Sequence, residues 1–362
     1  MGALKPVLVM EDDVWLRLIG LVLDPATSAE RFDAFADFMS PDVPDFAGWR
    51  DAARRAAGKL FPSDVRLVGS QAELHGTLAA ADAVVTESLK IGAQELALAP
   101  RLKAVHKYGA ILRNIDVAAC TARGVKVLTV RRRANVSCAE HAFALMLALA
   151  RRITELAGII SVEQLAAMGR SYAPFDRRHT PGANLGRFSG LSPLHGSTIG
   201  IIGLGEIGRE LALRAAAFEM KVLYFQRTRL SEADEEGGKA SYRSLEALLA
   251  ASDWVVPQLP LDGSTQNLLD RERLSLMKPG ARIVNVSRAE LIDRQALLGV
   301  LRSGHLGGLA LDSLYEEPGR PDDELLSFQN VILTPHMAGS PRTNGLKDIE
   351  DMIRGLAGVL TA

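Results

Sequence analysis

Cysteine is scarce in this chain: two residues, Cys120 and Cys138, among 362. That is too few for a disulfide framework, and the two are not spaced like a zinc site, so the sequence predicts a reducing, cytoplasmic setting and no bound metal. An excess of charge of either sign is missing too, with 42 Lys and Arg against 43 Asp and Glu and a formal net charge of −1. Nothing in that balance offers an electrostatic footprint for nucleic acid or for an anionic membrane. Long hydrophobic runs are absent. The strongest, Ala142 to Ala150, falls far short of the ~20 residues that span a bilayer. The first apolar run ends within a few residues at Glu11, Asp12 and Asp13, which does not read as a signal peptide. No internal repeat or low-complexity tract is visible.

What remains is the profile of a globular chain, 48% hydrophobic and 23% charged, long enough for two domains. Strand-like runs at 7–10, 65–68, 83–86, 102–106 and 125–130 alternate with helical patterns, which predicts a first parallel-sheet α/β domain. Between them, residues 37–51 read as an irregular insertion because Pro41, Pro44 and Gly48 break any period. A long helix is expected from about Ser137 through Ile153, with Phe143, Met146, Leu147 and Ala150 at helical spacing. Residues 158–195, rich in glycine, proline and arginine, read as a crossing segment ordered by what it lies against. Strand and helix patterns then alternate again to a last strand at 331–333, and a C-terminal helix over about 344–360 is expected to fold back on the first domain.

The second half opens on a specific pattern. Residues 198–228 give a short apolar strand, three glycines at 203, 205 and 208, a helix and a second strand. In such a βαβ unit Gly203 allows the turn out of the strand, Gly205 lets backbone approach a pyrophosphate, and Gly208 lets the helix pack closely. An anion is then expected at the helix N-terminus near Glu206 and Ile207, where free N–H groups and the helix dipole favour negative charge.

Further on, polar residues stand where apolar strands end: Ser287 and Arg288 after I-V-N-V, Asp312 through Glu317 after G-L-A-L, and His336 after V-I-L-T-P. Open α/β sheets place ligands at these strand ends. Taken singly, Arg288 reads as well as a surface arginine, His336 as an exposed turn histidine and Glu317 as a solvated acid. Together they supply a guanidinium for a carboxylate, an imidazole for proton transfer and an acid to orient it.

The ordered set K-Y-G-A-I-L-R-N-I-D-V-A-A (107–119), A-N-V-S-C-A-E-H (134–141), L-H-G-S-T-I-G-I-I-G-L-G-E-I-G (194–208), P-L-D-G-S-T-Q-N-L-L (260–269), K-P-G-A-R-I-V-N-V-S-R-A-E-L-I-D (278–293), G-G-L-A-L-D-S-L-Y-E-E-P (307–318) and L-T-P-H-M-A-G-S (333–340) resembles the D-isomer-specific 2-hydroxyacid dehydrogenase family. The resemblance implies two doubly wound parallel-sheet α/β domains, Rossmann and flavodoxin-like, with an interdomain cleft. Residues 1–133 with 336–362 would bind substrate, and 134–335 would bind NAD(P). It implies interconversion of a 2-keto acid and a D-2-hydroxy acid by hydride transfer from a nicotinamide cofactor. Arg288 would bind the substrate carboxylate, and His336 would donate a proton with Glu317 as its acid partner. The loop Tyr108, Gly109, Ala110 and Ile111 would assist at the substrate. Gly203, Gly205, Glu206, Ile207, Gly208, Gln226, Arg227, Thr228, Pro260, Ser287, Asp312 and Gly339 would line the cofactor, with Asp312 beside the nicotinamide. A homodimer through the helix at about 139–152 is also implied. The same fold serves as a dinucleotide-sensing co-repressor, which is the alternative reading, whereas Glu317 in place of glutamine argues against a formate dehydrogenase.

One further absence matters. The acid expected at the end of the second strand of the βαβ unit, where it would bind ribose hydroxyls and repel a 2′-phosphate, is replaced by Gln226, followed by Arg227 and Thr228. This predicts NADP(H) over NAD(H), with Arg229 as a further candidate for the phosphate. Ile111 and Arg113 stand where relatives commonly carry glycine and an acid, so the substrate pocket is expected to differ in shape. Arg131, Arg132 and Arg133 read as a solvated basic loop, with attraction of a dicarboxylic or phosphorylated substrate as the alternative.

Overall fold

Five short runs, Val7–Glu11 (β1), Asp64–Val68 (β2), Ala83–Thr86 (β3), Ala104–Lys107 (β4) and Lys126–Thr129 (β5), pair in parallel in the order β2-β1-β3-β4-β5. The computed structural model describes residues 5–361. Seven more strands form a second parallel sheet: Thr198–Ile202 (β6), Lys221–Phe225 (β7), Ala240–Tyr242 (β8), Trp254–Pro257 (β9), Arg282–Asn285 (β10), Gly308–Leu311 (β11) and Val331–Leu333 (β12), in the order β12-β11-β10-β9-β6-β7-β8. Strands covered by helices on both faces lose the inside-outside alternation of a half-exposed sheet, and β3, β9 and β11 are buried throughout. The chain divides into two compact units, one running to Ser137 and resuming at Gly339, the other Cys138–Ala338. In each sheet the strand order reverses once, between β1 and β3 in the first and between β6 and β9 in the second. These are the switch points at which doubly wound sheets hold ligands.

The first unit gains its last helix from the far end of the chain. Thr343–Leu360 places Leu346, Ile349, Met352, Ile353 and Leu356 at helical spacing into a core with Leu8 and Met10 of β1. Arg133 ties down this helix by donating to the buried Asp348 at 2.7 Å and to Asp351 at 2.8 Å. Burial pushes the Asp348 carboxyl up even against the Arg133 hydrogen bonds. In the second unit the helix Arg133–Arg151 contributes Ala139, Ala142, Phe143, Met146 and Ala150 to the core beneath β6 and β9.

Residues 37–51 are not an irregular insertion. Two helices, Ala29–Met39 and Phe46–Ala57, occupy most of that stretch. Pro41 and Pro44 lie in the turn between them, and Gly48 sits in the first turn of the second helix, where the Asp45 carboxylate caps its N–H at 2.8 Å. A Cβ there would lie 2.1 Å from that carboxylate, so this glycine serves the cap rather than breaking the helix. The helix Glu232–Gly238 and strand β8 have no counterpart in the sequence reading. E-A-D-E-E-G-G carries no apolar period, and the helix rests on the Ser231 cap and on Glu232, Asp234 and Glu235 in its first turn. Within 158–195 a short helix, Val162–Ala167, starts from a Ser161–Gln164 capping box. The rest is irregular and largely exposed, pinned locally by Arg170 over Phe188 and Arg187 over Phe175.

The turn after β6 is the fold's most constrained backbone. Gly203 has φ +100°, and a Cβ there would lie 2.4 Å from the Gln258 carbonyl. A Cβ on Gly208, in the helix Glu206–Ala217, would lie 2.3 Å from the Gly203 carbonyl. Gly205, the N-cap of that helix, has nothing within 4 Å of its Cβ position. Gly203→Ala and Gly208→Ala should therefore each lower the unfolding free energy by about 2–4 kcal/mol. Gly205→Ala should cost less than about 1 kcal/mol, with urea unfolding as the measurement.

His106 on β4 sets a second test. Its imidazole is 2% exposed, packs toward Gly355, and donates from Nδ1 to the Lys107 carbonyl at 3.0 Å. Burial lowers it from 6.5 to about 4, outweighing that hydrogen bond. The unfolded imidazole takes up its proton near 6.5 while the folded one stays neutral to about 4, so stability is lost as pH falls through this window. The loss should reach about 3 kcal/mol, and His106→Leu should flatten the fall in urea midpoint between neutral and acid pH.

Candidate functional site

Parallel strands all point their carbonyl ends to the same edge of the sheet, so side chains in the loops that follow are gathered there by topology alone. At the β6 end, the three glycines leave a helix N-terminus with room in front of Gly205. Beside it Gln258 follows β9, with its side-chain nitrogen buried and without a hydrogen-bond partner among the described residues. A helix N-terminus, open space at the Gly205 Cβ position and the unsatisfied Gln258 amide at the switch point together fit a dinucleotide. Glu206 and Ile207 begin the helix, Pro260 lies exposed in the loop beyond β9, and Gly339 is exposed just after the second unit.

At the end of β7, the Gln226 amide donates to the Thr228 carbonyl at 2.5 Å. Arg229 is engaged. It grips Glu235 at 2.7 and 2.9 Å, and Glu235 also accepts from the Tyr224 hydroxyl at 2.6 Å. The Arg229 guanidinium, with that hydroxyl, holds Glu235 down to about 2. Arg227 is exposed and forms no ion pair among the described residues.

At the β10, β11 and β12 ends stand Arg288, Glu317 and His336. The His336 Nδ1 lies 2.8 Å from the Glu317 carboxylate, which also accepts from the Leu314 N–H at 2.8 Å. The His336 hydrogen bond, that N–H and the charge of Arg288 hold the Glu317 carboxyl below its ordinary range. Glu317 is therefore an acceptor, which makes Nδ1 the donor and leaves Nε2 as the second ring nitrogen. Both side chains are substantially exposed, at 49% and 39%. Arg288 is also exposed and donates to the Ser287 carbonyl at 2.7 Å.

Asp312 does not stand in solvent at its strand end. It is fully buried, and its carboxylate accepts from the Thr334 hydroxyl at 2.6 Å and from the Met337 and Ala338 N–H groups at 3.0 and 2.8 Å. Its own carbonyl accepts from the His336 N–H at 2.8 Å. Burial raises the carboxyl, but hydrogen bonds from His141, Thr334, Met337 and Ala338 outweigh it and leave it at about 2. Asn285, at the end of β10, is equally buried. Its amide donates to the Arg288 carbonyl at 2.7 Å, and its side-chain oxygen accepts from the Ser287 N–H and hydroxyl, each at 2.9 Å. The Ser287 hydroxyl shares its one proton between that oxygen and the Pro257 carbonyl, at 2.8 Å from the latter, and the Ser313 hydroxyl donates to the Ser287 carbonyl at 3.0 Å. Asn285, Ser313 and Thr334 were not singled out from the sequence. The one available signal was an asparagine inside the apolar run I-V-N-V.

In the first unit, Tyr108 and Gly109 are buried while Ala110 is exposed. Gly109 has φ +145°, and its carbonyl accepts from the Val130 N–H at 3.2 Å. The three arginines at 131–133 are not a freely solvated loop: Arg133 is committed to Asp348 and Asp351, and Arg132 lies 4.2 Å over the Tyr108 ring.

Comparison with known proteins gives the same direction. Residues 143–338 match the model of the D-isomer-specific 2-hydroxyacid dehydrogenase NAD-binding domain. The chain is 39% identical over 260 residues to a glyoxylate reductase of Pyrococcus furiosus, covering 72% of this chain and 73% of the relative. The solved TT0316 protein of Thermus thermophilus is 31% identical, with a TM-score of 0.52, over 86% of this chain and 94% of that one. A D-mandelate dehydrogenase of Rhodotorula graminis, at 24% identity and a TM-score of 0.56 over 97% and 93% of the two chains, shares the fold. With its glycine turn, its strand-end residues and these relatives, the chain belongs to the D-isomer-specific 2-hydroxyacid dehydrogenase family, nicotinamide-dependent oxidoreductases that interconvert 2-keto and 2-hydroxy acids.

Proposed function

We propose that this enzyme reduces a small 2-keto acid, with glyoxylate the first candidate, using NADPH, and that Arg288, Glu317 and His336 carry the chemistry. The observation that carries the reading is the 2.8 Å pair of His336 and Glu317 on the same sheet edge as Arg288 and the glycine turn. The bound nicotinamide supplies or accepts the hydride. Glu317 holds Nδ1 of His336, so that Nε2 delivers the proton to the oxygen of the reduced carbonyl and recovers it in the reverse direction. Arg288 offers a guanidinium fork to the substrate carboxylate and so orients the keto group. Tyr108, Gly109, Ala110 and Ile111 are assigned to the substrate as well. The N–H groups at Gly205, Glu206 and Ile207 would hold the pyrophosphate, and Ser287, Pro260, Asp312 and Gly339 would complete the cofactor side.

Choice of cofactor falls to the end of β7. Gln226 carries no charge to repel a 2′-phosphate, Arg229 is spent on Glu235, and Arg227 is left to receive the phosphate. A homodimer through the helix Arg133–Arg151 and a cytoplasmic setting complete the reading.

Three measurements test it. Turnover with NADPH is expected in a panel of glyoxylate, hydroxypyruvate, pyruvate and phenylpyruvate, and no turnover with any of them overturns the assignment. His336→Ala should lower kcat by about 10²–10⁴-fold while NADPH affinity holds; an unchanged kcat removes His336 from the mechanism. NADPH should bind at least about tenfold more tightly than NADH, Arg227→Ala should abolish most of that difference, and equal Kd values for the two cofactors sink the preference.

A further inference from the structure

One motif residue has no part in the scheme above. His141 ends the run A-N-V-S-C-A-E-H and lies within the helix Arg133–Arg151, on neither the cofactor turn nor a strand-end loop. Its side chain is 17% exposed, and Nε2 lies 3.1 Å from the Thr334 hydroxyl oxygen and 3.3 Å from the Asp312 carboxylate. Thr334 donates its own proton to Asp312 at 2.6 Å, so its oxygen is free to accept. Nε2–H of His141 is thus shared between the hydroxyl and the carboxylate, a fourth donor on the group that already holds the N–H groups of Met337 and Ala338.

The consequence lies in what those partners flank. Thr334 and Met337 bracket Pro335 and His336, and the His336 N–H is itself bound to the Asp312 carbonyl. His336 takes φ +51°, a left-handed conformation that a histidine does not prefer and that surrounding contacts must impose. Asp312 supplies several of those contacts, beside the His336 N–H bond to the Thr334 carbonyl at 3.0 Å and the Glu317 pair, and His141 anchors Asp312 and Thr334 to a helix of the core.

We propose that His141 is a positioning residue for the reaction: through Asp312 and Thr334 it locks the 334–338 turn in the conformation that presents His336 to substrate. The inference rests on His336 being the proton donor. It requires nothing of His141 beyond an N–H at Nε2, and Gln, whose amide nitrogen reaches a similar point, should replace it.

The experiment compares His141→Leu and His141→Gln in the full-length enzyme, alone and combined with His336→Ala. Readouts are kcat, KM for glyoxylate or the best panel substrate, NADPH Kd by fluorescence, and thermal unfolding. His141→Leu should lower kcat by about 10–100-fold with NADPH Kd unchanged, and His141→Gln should recover most of the loss. In the His336→Ala background the leucine variant should add nothing to the residual rate, because both act through one imidazole. The proposal is overturned if His141→Leu keeps wild-type kcat, if glutamine fails as badly as leucine, if the defect lies in cofactor Kd, or if the loss persists undiminished without His336. Should His141→Leu not fold, Thr334→Val cuts the same network and carries the same expectations. A wild-type kcat in His336→Ala alone marks failure of the underlying reading rather than of this one.

Discussion

The buried carboxylate of Asp312 organises the candidate site. An isolated charge in the interior costs several kcal/mol, and removing a partner from a buried ionic group is correspondingly expensive. Asp312 meets that requirement with donors from separate parts of the chain: His141 on a helix, Thr334 at the end of β12, and two N–H groups of the turn beyond. Satisfying one charge therefore fixes the position of several segments at once. The residue after it extends the effect, since Ser313 holds the Ser287 carbonyl and the Asp312 N–H is bound to the Asn285 carbonyl. The loops that carry Arg288, Glu317 and His336 are joined at this one corner of the sheet.

That arrangement separates buried support from the exposed groups to which the chemistry is assigned. The supporting groups, Asp312 and Asn285, are fully buried and hydrogen-bonded, while Arg288, Glu317 and His336 are exposed. The same division holds at the glycine turn. Gly203 and Gly208 are demanded by close backbone contacts, whereas Gly205 is demanded by nothing in the protein itself. A glycine with open space before it, between two that have none, marks where something other than the chain is expected.

Much of this was legible beforehand. Parallel strands buried on both faces read as apolar runs, and nearly every strand of both sheets was visible for that reason. The reading failed where local pattern and structural role part company. Gly48 looks like a breaker but accommodates a cap, and the acidic helix at 232–238 has no apolar face to announce it. The basic run at 131–133 looks solvated in one dimension, yet Arg133 meets Asp348 and Asp351 from a helix more than two hundred residues away.

The sequence by itself determined the class of fold and the family, and it supplied the glycine turn and the Arg, Glu and His set as candidates, because each depends on residue types at short, local spacing beside a strand end. The tertiary structure alone decided which of the polar residues are buried and hydrogen-bonded and which stay exposed. Asp312, assigned to the cofactor side from its motif, is also a buried anchor for the turn beyond β12, and His141 bonds to it. Burial and the geometry of hydrogen bonds between distant segments make that distinction, and neither is written in the order of residues along the chain.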